Sequence, residues 1–121
     1  MIKLELPFVT PSNNELLRKY RHWAVKRRLK TYYMDEIMIY ILEHNLKDIQ
    51  TDGKRECKIT SYRKRLLDKD NLYGGVKPLV DVIVKYGILI DDNPSVCDLK
   101  VGQEKSRTPK TVIELRDINE D

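Results

Sequence analysis

The sequence predicts an α/β fold of the α+β kind: one mixed four-stranded sheet with two main helices packed on it, in the order strand, helix, strand, helix, strand, strand. Three observations carry this. Four short stretches alternate apolar and polar residues with a period of two, the pattern of half-buried strands. Two stretches repeat apolar residues at spacings of three and four, the pattern of helices with one buried face. The length of 121 residues suits a single domain with its own core.

The first strand is "IKLELPF" at 2–8, with Ile2, Leu4 and Leu6 set against Lys3 and Glu5. "TPSNN" at 10–14 is turn chemistry. From about Glu15 to Ile49 the pattern is helical, with Met34, Ile37, Met38, Ile41 and Leu42 on one apolar face. Asn45 and "DIQTDGK" close that segment. "RECKITSYRK" at 55–64 is a second strand, with Cys57, Ile59 and Ser61 on one face. "VKPLVDVIVKYG" at 76–87 is a short helix: Pro78 suits its first turn and Gly87 its left-handed closing position. "ILIDDNPS" is a brief apolar run ending in a turn. "VCDLKVGQEK" at 96–105 and "TVIEL" at 111–115 are the last two strands, close enough in sequence to pair as an antiparallel hairpin. The polar tail 116–121 is expected to fray.

Composition narrows the function. A charged fraction of 35%, a net charge of +4 and an isoelectric point near 9.0 favour a polyanionic partner. Cys57 and Cys97 lack C-x-x-C spacing and sit in alternating apolar stretches, so they read as buried free thiols, with neither a zinc site nor a disulfide scaffold. "MIKLELPFVT" has no apolar core of the signal-peptide kind, and no run approaches the ~20 residues of a membrane span. A cytoplasmic protein with no membrane partner and no organic cofactor is the expectation.

Residues 16–30, "LLRKYRHWAVKRRLK", carry Arg18, Lys19, Arg21, Lys26, Arg27, Arg28 and Lys30 with no acid among them. Tyr20, His22 and Trp23 are interleaved. Cations on long stems neutralise phosphates, and aromatic rings stack on unpaired bases. The same residues also suit a solvated helix start with Trp23 docked on the core. A second basic group, Arg63, Lys64 and Arg65, leads directly to Asp68.

Asp68 and Asp70 stand two positions apart. In an extended segment both side chains point one way and can converge. Two anions so close raise each other's pKa unless a cation joins them. Hard carboxylate oxygens suit Mg2+ or Mn2+. Asp92, with Asp91 as the weaker candidate, lies in the turn to which the chain returns after the second helix, and could join the pair. Lys77, at the start of that helix, could meet charge developing on a phosphoryl group or protonate a leaving oxygen. Together these groups suit metal-assisted phosphodiester hydrolysis. The bland alternatives are equally concrete. "DKDN" can cap a helix, "DDNP" can be an ordinary turn, and Lys77, Asp81 and Lys85 can form an i, i+4, i+8 ion-pair row.

Taken together, "PSNN" at 11–14, "DKDNL" at 68–72, "KPLVD" at 77–81 and "KYGILIDD" at 85–92 resemble the RusA family of Holliday junction resolvases, over about residues 4–116. The resemblance implies an endonuclease that uses Mg2+ or Mn2+, works as a homodimer and cuts four-way DNA junctions. It implies metal-binding catalytic roles for Asp68, Asp70 and Asp92, with Asp91 as the neighbour of the last acid, and an active-site role for Lys77. It also implies a bacterial or phage-encoded intracellular setting. Gly74, Gly75 and Val76 stand as an insertion before Lys77, and Leu66 and Leu67 separate Arg65 from the first acid. A dimer has a physical reason: two symmetric cuts in opposed strands need two sites related by a two-fold axis. Two other readings stay open. One is a branched-DNA-binding dimer without catalysis, and the other is a nuclease acting on structured RNA.

Overall fold

The computed structural model describes residues 1–118. Four strands form one mixed sheet: β1 (Ile2–Leu6), β2 (Arg55–Arg63), β3 (Cys97–Lys105) and β4 (Lys110–Asp117). Among the described residues there are four helices: α1 (Asn13–Lys19), α2 (Trp23–Glu43), α3 (Lys69–Gly75) and α4 (Lys77–Lys85). The predicted order of strands and helical segments holds, but the first helical segment is divided into α1 and α2, and α3 is an additional short helix ahead of the predicted second one, α4.

The sheet order is β1-β4-β2-β3. β4 pairs antiparallel with both β1 and β2, while β3 lies parallel to β2 at the edge. The predicted β3–β4 hairpin is therefore not formed. The strands' composition explains the exchange. Val112, Ile113 and Leu115 of β4 are buried, which suits a central strand. β3 carries exposed Asp98, Lys100, Glu104 and Lys105, and charged residues suit an edge.

Register builds the core in rows. Leu4, Ile113, Ile59 and Val101 align across the sheet, as do Ile2, Leu115, Cys57 and Leu99. Tyr33 and Ile37 of α2 and Leu79 and Ile83 of α4 pack in the same cluster. Both cysteines are buried free thiols. The next row is Leu6, Thr111, Ser61 and Gln103. There the face turns polar, and this end of the sheet meets the loop leading to Asp68.

Helix boundaries follow local chemistry. α1 begins at Ser12, whose Oγ accepts from Glu15 N at 3.1 Å. α2 begins anew at His22, whose Nδ1 accepts from Ala24 N at 3.1 Å. The single helix predicted from 15 to 49 is thus interrupted at 20–22 and ends at Glu43. Its closing residue is Asn45, in the left-handed conformation at φ 50°. Asn45 N donates to Leu42 O and Leu46 N to Ile41 O, the paired bonds that satisfy orphan carbonyls. Gly87, at φ 83°, closes α4 in the same way, with bonds from Gly87 N to Val84 O and Ile88 N to Ile83 O. On α2 the buried residues are Tyr33 and Ile37, with Met34 and Ile41 half-buried; Met38 and Leu42, expected in the core, are exposed.

The tail differs from expectation as well. Residues 116 and 117 continue β4: Arg116 Nη2 lies 2.7 Å from Glu56 Oε2, and Asp117 Oδ1 accepts from Arg55 Nε at 2.7 Å. The remainder of the predicted frayed tail, 119–121, lies outside the described residues. Among the described residues no helix is long and apolar enough to cross a membrane.

Candidate active site

The polar row at the sheet's end fixes the approach to Asp68. Gln103 holds the backbone of Leu67 at both ends: Leu67 N donates to Oε1 at 3.0 Å, and Nε2 donates to Leu67 O at 2.7 Å. The next residue, Asp68, is the N-cap of α3. Its Oδ1 accepts from Asn71 N and its Oδ2 from Asn71 Nδ2, both at 2.9 Å. These bonds hold the Asp68 carboxyl below its ordinary range. Asn71 Oδ1 in turn accepts from Asn14 N at 3.0 Å. The "PSNN" and "DKDNL" segments therefore meet through one side chain.

This corrects the extended geometry expected for the acid pair. Asp68 caps a helix and Asp70 lies in that helix's first turn. At a helix start, side chains two apart do not face each other, so the spacing no longer aims both carboxylates at one point. The physical reason is the cap itself: an aspartate there satisfies a backbone donor that the first turn leaves unpaired.

Gly74 and Gly75 have a packing role. A Cβ on Gly75 would collide with the backbone carbonyl of Pro11, and one on Gly74 would come within 2.6 Å of Asn13 Cγ. The pair lets α3 lie directly against the start of α1. α3 ends at Gly75, Val76 caps both helices, and Lys77 starts α4.

Lys77 and Asp92, fifteen positions apart, come together, with Nζ 3.6 Å from Oδ2. The turn carrying Asp92 is fixed from several sides. Asp91 Oδ1 accepts from Asp92 N at 2.8 Å, so Asp91 shapes the turn. Upstream, the buried Arg55 donates to the carbonyls of Ile49 and Ile88. The negative charge of Asp92 also reaches Cys97: burial, then Asp98 and Asp92, raise that thiol's pKa. The alternative ion-pair row along α4 does not form among the described residues; Asp81 pairs instead with Lys30 Nζ of α2 at 3.2 Å. Among the described residues no three metal-ligating side chains of His, Cys, Asp or Glu converge on one point.

The predicted DNA-contacting cations fall into three groups. Arg18, Lys19, Arg21, Lys26, Arg27, Arg28, Lys64 and Arg65 are exposed. Lys19 pairs with Glu15 at 3.9 Å, and Lys30 is half-buried in its pair with Asp81. Arg63 is 7% exposed and donates to Ser61 Oγ, so it belongs to the interior. It follows the two-residue alternation of β2, which sends its side chain to the same face as Ser61. Trp23 does not dock on the core; it is 69% exposed and stacks on His22.

Sequence reasoning missed the positioning roles of Asn71, Gln103 and Arg55. Gln103 carried a signal: it is a polar residue on the face that Leu99 and Val101 line. Arg55 opens an apolar strand on the face of Cys57 and Ile59, where a cation needs buried acceptors. Compared with known proteins, the chain matches no protein-family model and no curated protein.

Proposed function

We propose that the chain is a divalent-metal-dependent endonuclease of the RusA type, which cuts four-way DNA junctions as a homodimer. The observation that carries this reading is the approach of Lys77 to Asp92 at 3.6 Å. It joins an acid and an ammonium, distant in sequence, just past the C-terminal end of α3, the helix whose cap and first turn carry Asp68 and Asp70. All three acids are exposed carboxylates, the hard donors that suit Mg2+ or Mn2+. Each Asp68 oxygen accepts one bond from Asn71 and keeps lone-pair capacity for a metal.

Asp68, Asp70 and Asp92 are the residues that would hold the ion, which requires them to draw together on binding it, since no three ligating side chains converge among the described residues. When bound, it supplies a Lewis acid and an activated water for phosphodiester hydrolysis. The chain's own residues do the rest. Asn71 keeps Asp68 ionised, and Asp91 orients the turn that presents Asp92. Lys77 sets a positive charge and a proton beside Asp92, where it would meet charge developing on the leaving oxygen. Exposed cations at the start of α2 hold flanking phosphates without reading sequence.

The test is a synthetic four-way junction incubated with the protein and Mg2+. Paired symmetric nicks that vanish with a chelator are expected. Asp70→Asn is expected to slow cutting by on the order of 100-fold or more while junction binding persists. A junction bound but never nicked, with Mg2+ or Mn2+, would overturn the enzyme reading. That result would favour a binding-only dimer, which one observation supports: Asp68 and Asp92 already have protein partners in Asn71 and Lys77.

A further inference from the structure

The segment that joins α1 to α2 carries an open groove of about 550 Å³, lined by Arg18, Lys19, Arg21, His22 and Trp23. Trp23 is 69% exposed, so most of its surface meets solvent. Its ring does not stand alone. The His22 ring stacks against it, with centroids 5.7 Å apart and planes 27° from parallel. That imidazole is itself fixed, because its Nδ1 accepts from Ala24 N at 3.1 Å. The backbone holds the imidazole, and the imidazole supports one side of the indole. A ring held in this way loses little freedom when a second flat ring covers it.

Charge decides which flat ring that is. Three cations line the groove and no carboxylate does. Lys19 reaches Glu15 at 3.9 Å, a solvent-screened pair of small worth. Arg18 and Arg21 are exposed, and no ion pair engages either among the described residues. A free anion would meet the cations and leave the indole bare. A second copy of the chain, docked here about a two-fold axis, would set these cations against their own duplicates. Unpaired nucleotides satisfy both features: their phosphates meet the cations and their bases stack on the indole. A continuous duplex keeps its bases stacked on one another and offers only phosphates.

We infer that the Trp23 groove stacks an unpaired base of the bound nucleic acid, with Arg18 and Arg21 on the flanking phosphates. Its link to cutting rests on the nuclease reading; the groove itself does not. α1 joins the two places. Its first turn meets α3, where Asn14 N donates to Asn71 Oδ1, and its last turn supplies Arg18 and Lys19. Seven residues of helix span on the order of 10 Å. The groove would therefore favour strands that carry an unpaired base a few nucleotides from the cut.

Trp23 is the sole tryptophan of the chain, so indole emission reports this ring alone. The experiment titrates the whole protein, without metal, with a short oligothymidylate, a duplex of equal length, a four-way junction and, separately, inorganic phosphate. Binding is followed in parallel by the anisotropy of end-labelled DNA. Emission should fall as the oligothymidylate or the junction binds, saturate together with the anisotropy, and change little with duplex or phosphate. Trp23→Ala should weaken oligothymidylate binding about tenfold with an unchanged salt slope. Arg18→Ala with Arg21→Ala should instead lower that slope by about 1.4. Trp23→Phe, which keeps a ring, should recover part of the affinity. Because the side chain is exposed, Trp23→Ala should melt within a few degrees of wild type. Oligothymidylate bound with emission unchanged, or bound equally well by Trp23→Ala, would overturn the inference. So would quenching by phosphate alone, or an emission change that follows protein concentration without DNA, which makes the ring a contact between copies. With Mg2+ added, a junction that is cut without altering Trp23 emission overturns the groove and leaves the nuclease standing. Emission quenched by oligothymidylate, with the junction never nicked, overturns the nuclease and leaves the groove as a single-strand site.

Discussion

Asp68 joins structure and chemistry in one carboxyl. Asn71 donates to it from backbone and side chain, and these bonds hold its pKa below the ordinary range. A folded pKa below the unfolded one gives stability above the unfolded value, lost as pH falls through the folded one. Asp68→Ala is therefore expected to melt lower than wild type at pH 7. The gap should close as pH falls through and below the ordinary carboxylate range, measured as melting temperature against pH. A gap unchanged at low pH would remove the charge from the explanation. Arg55 works at the same scale. It is 3% exposed, and its fork serves the carbonyls of Ile49, Ile88 and Asp48 as well as the Asp117 carboxylate. Arg55→Met leaves these buried acceptors unpaired and should cost about 3 kcal/mol in denaturant unfolding. It should also slow cutting, because Ile88 leads into the turn that presents Asp92.

At the scale of elements, α3 is the part the sequence pattern concealed. "DKDNLYGG" has no apolar periodicity long enough to announce a helix, and only Leu72 and Gly75 are buried within it. Its existence depends on the Asp68 cap and on docking against α1, which the glycines permit. Gly75→Ala should separate α3 from Pro11, lower the melting temperature, and reduce cutting more than an exposed substitution such as Tyr73→Ala. Equal effects from the two variants would show that the close approach is not required. The α1–α2 break was equally hidden, since no proline or glycine marks it. His22 starts a new helix by accepting from Ala24 N. By contrast, α4 was legible almost to the residue, because Pro78 and Gly87 fix its two ends by backbone restriction.

For the whole molecule, the question is where the charge stands. Arg21, Lys26, Arg27 and Arg28 are exposed around the start of α2, and no ion pair engages them among the described residues. Junction binding should therefore weaken steeply with salt. Arg27→Ala with Arg28→Ala should lower the slope of log K against log salt by about 2, read from binding titrations between low and moderate salt. An unchanged slope would place the phosphates elsewhere. Paired cutting also requires two sites, so sedimentation of the active protein should report a dimer, and a monomer that still makes paired cuts would refute that requirement.

The sequence by itself determined the four strands, their core faces, the helix at 77–85 and the cations of the 16–30 segment. Each depends on period, on restricted backbone residues or on side-chain charge, all of which are local. It also singled out Asp68, Asp70, Lys77 and Asp92 as the residues of interest. Only the tertiary structure decided that β4 takes the centre and β3 the edge, because strand order follows competition for burial among segments far apart in the chain. It also decided that Asp68 caps a helix braced by Asn14, that Asp81 turns to Lys30, and that Lys77 meets Asp92. These contacts join residues from 15 to 57 positions apart, and no window of the sequence contains both partners in their final geometry.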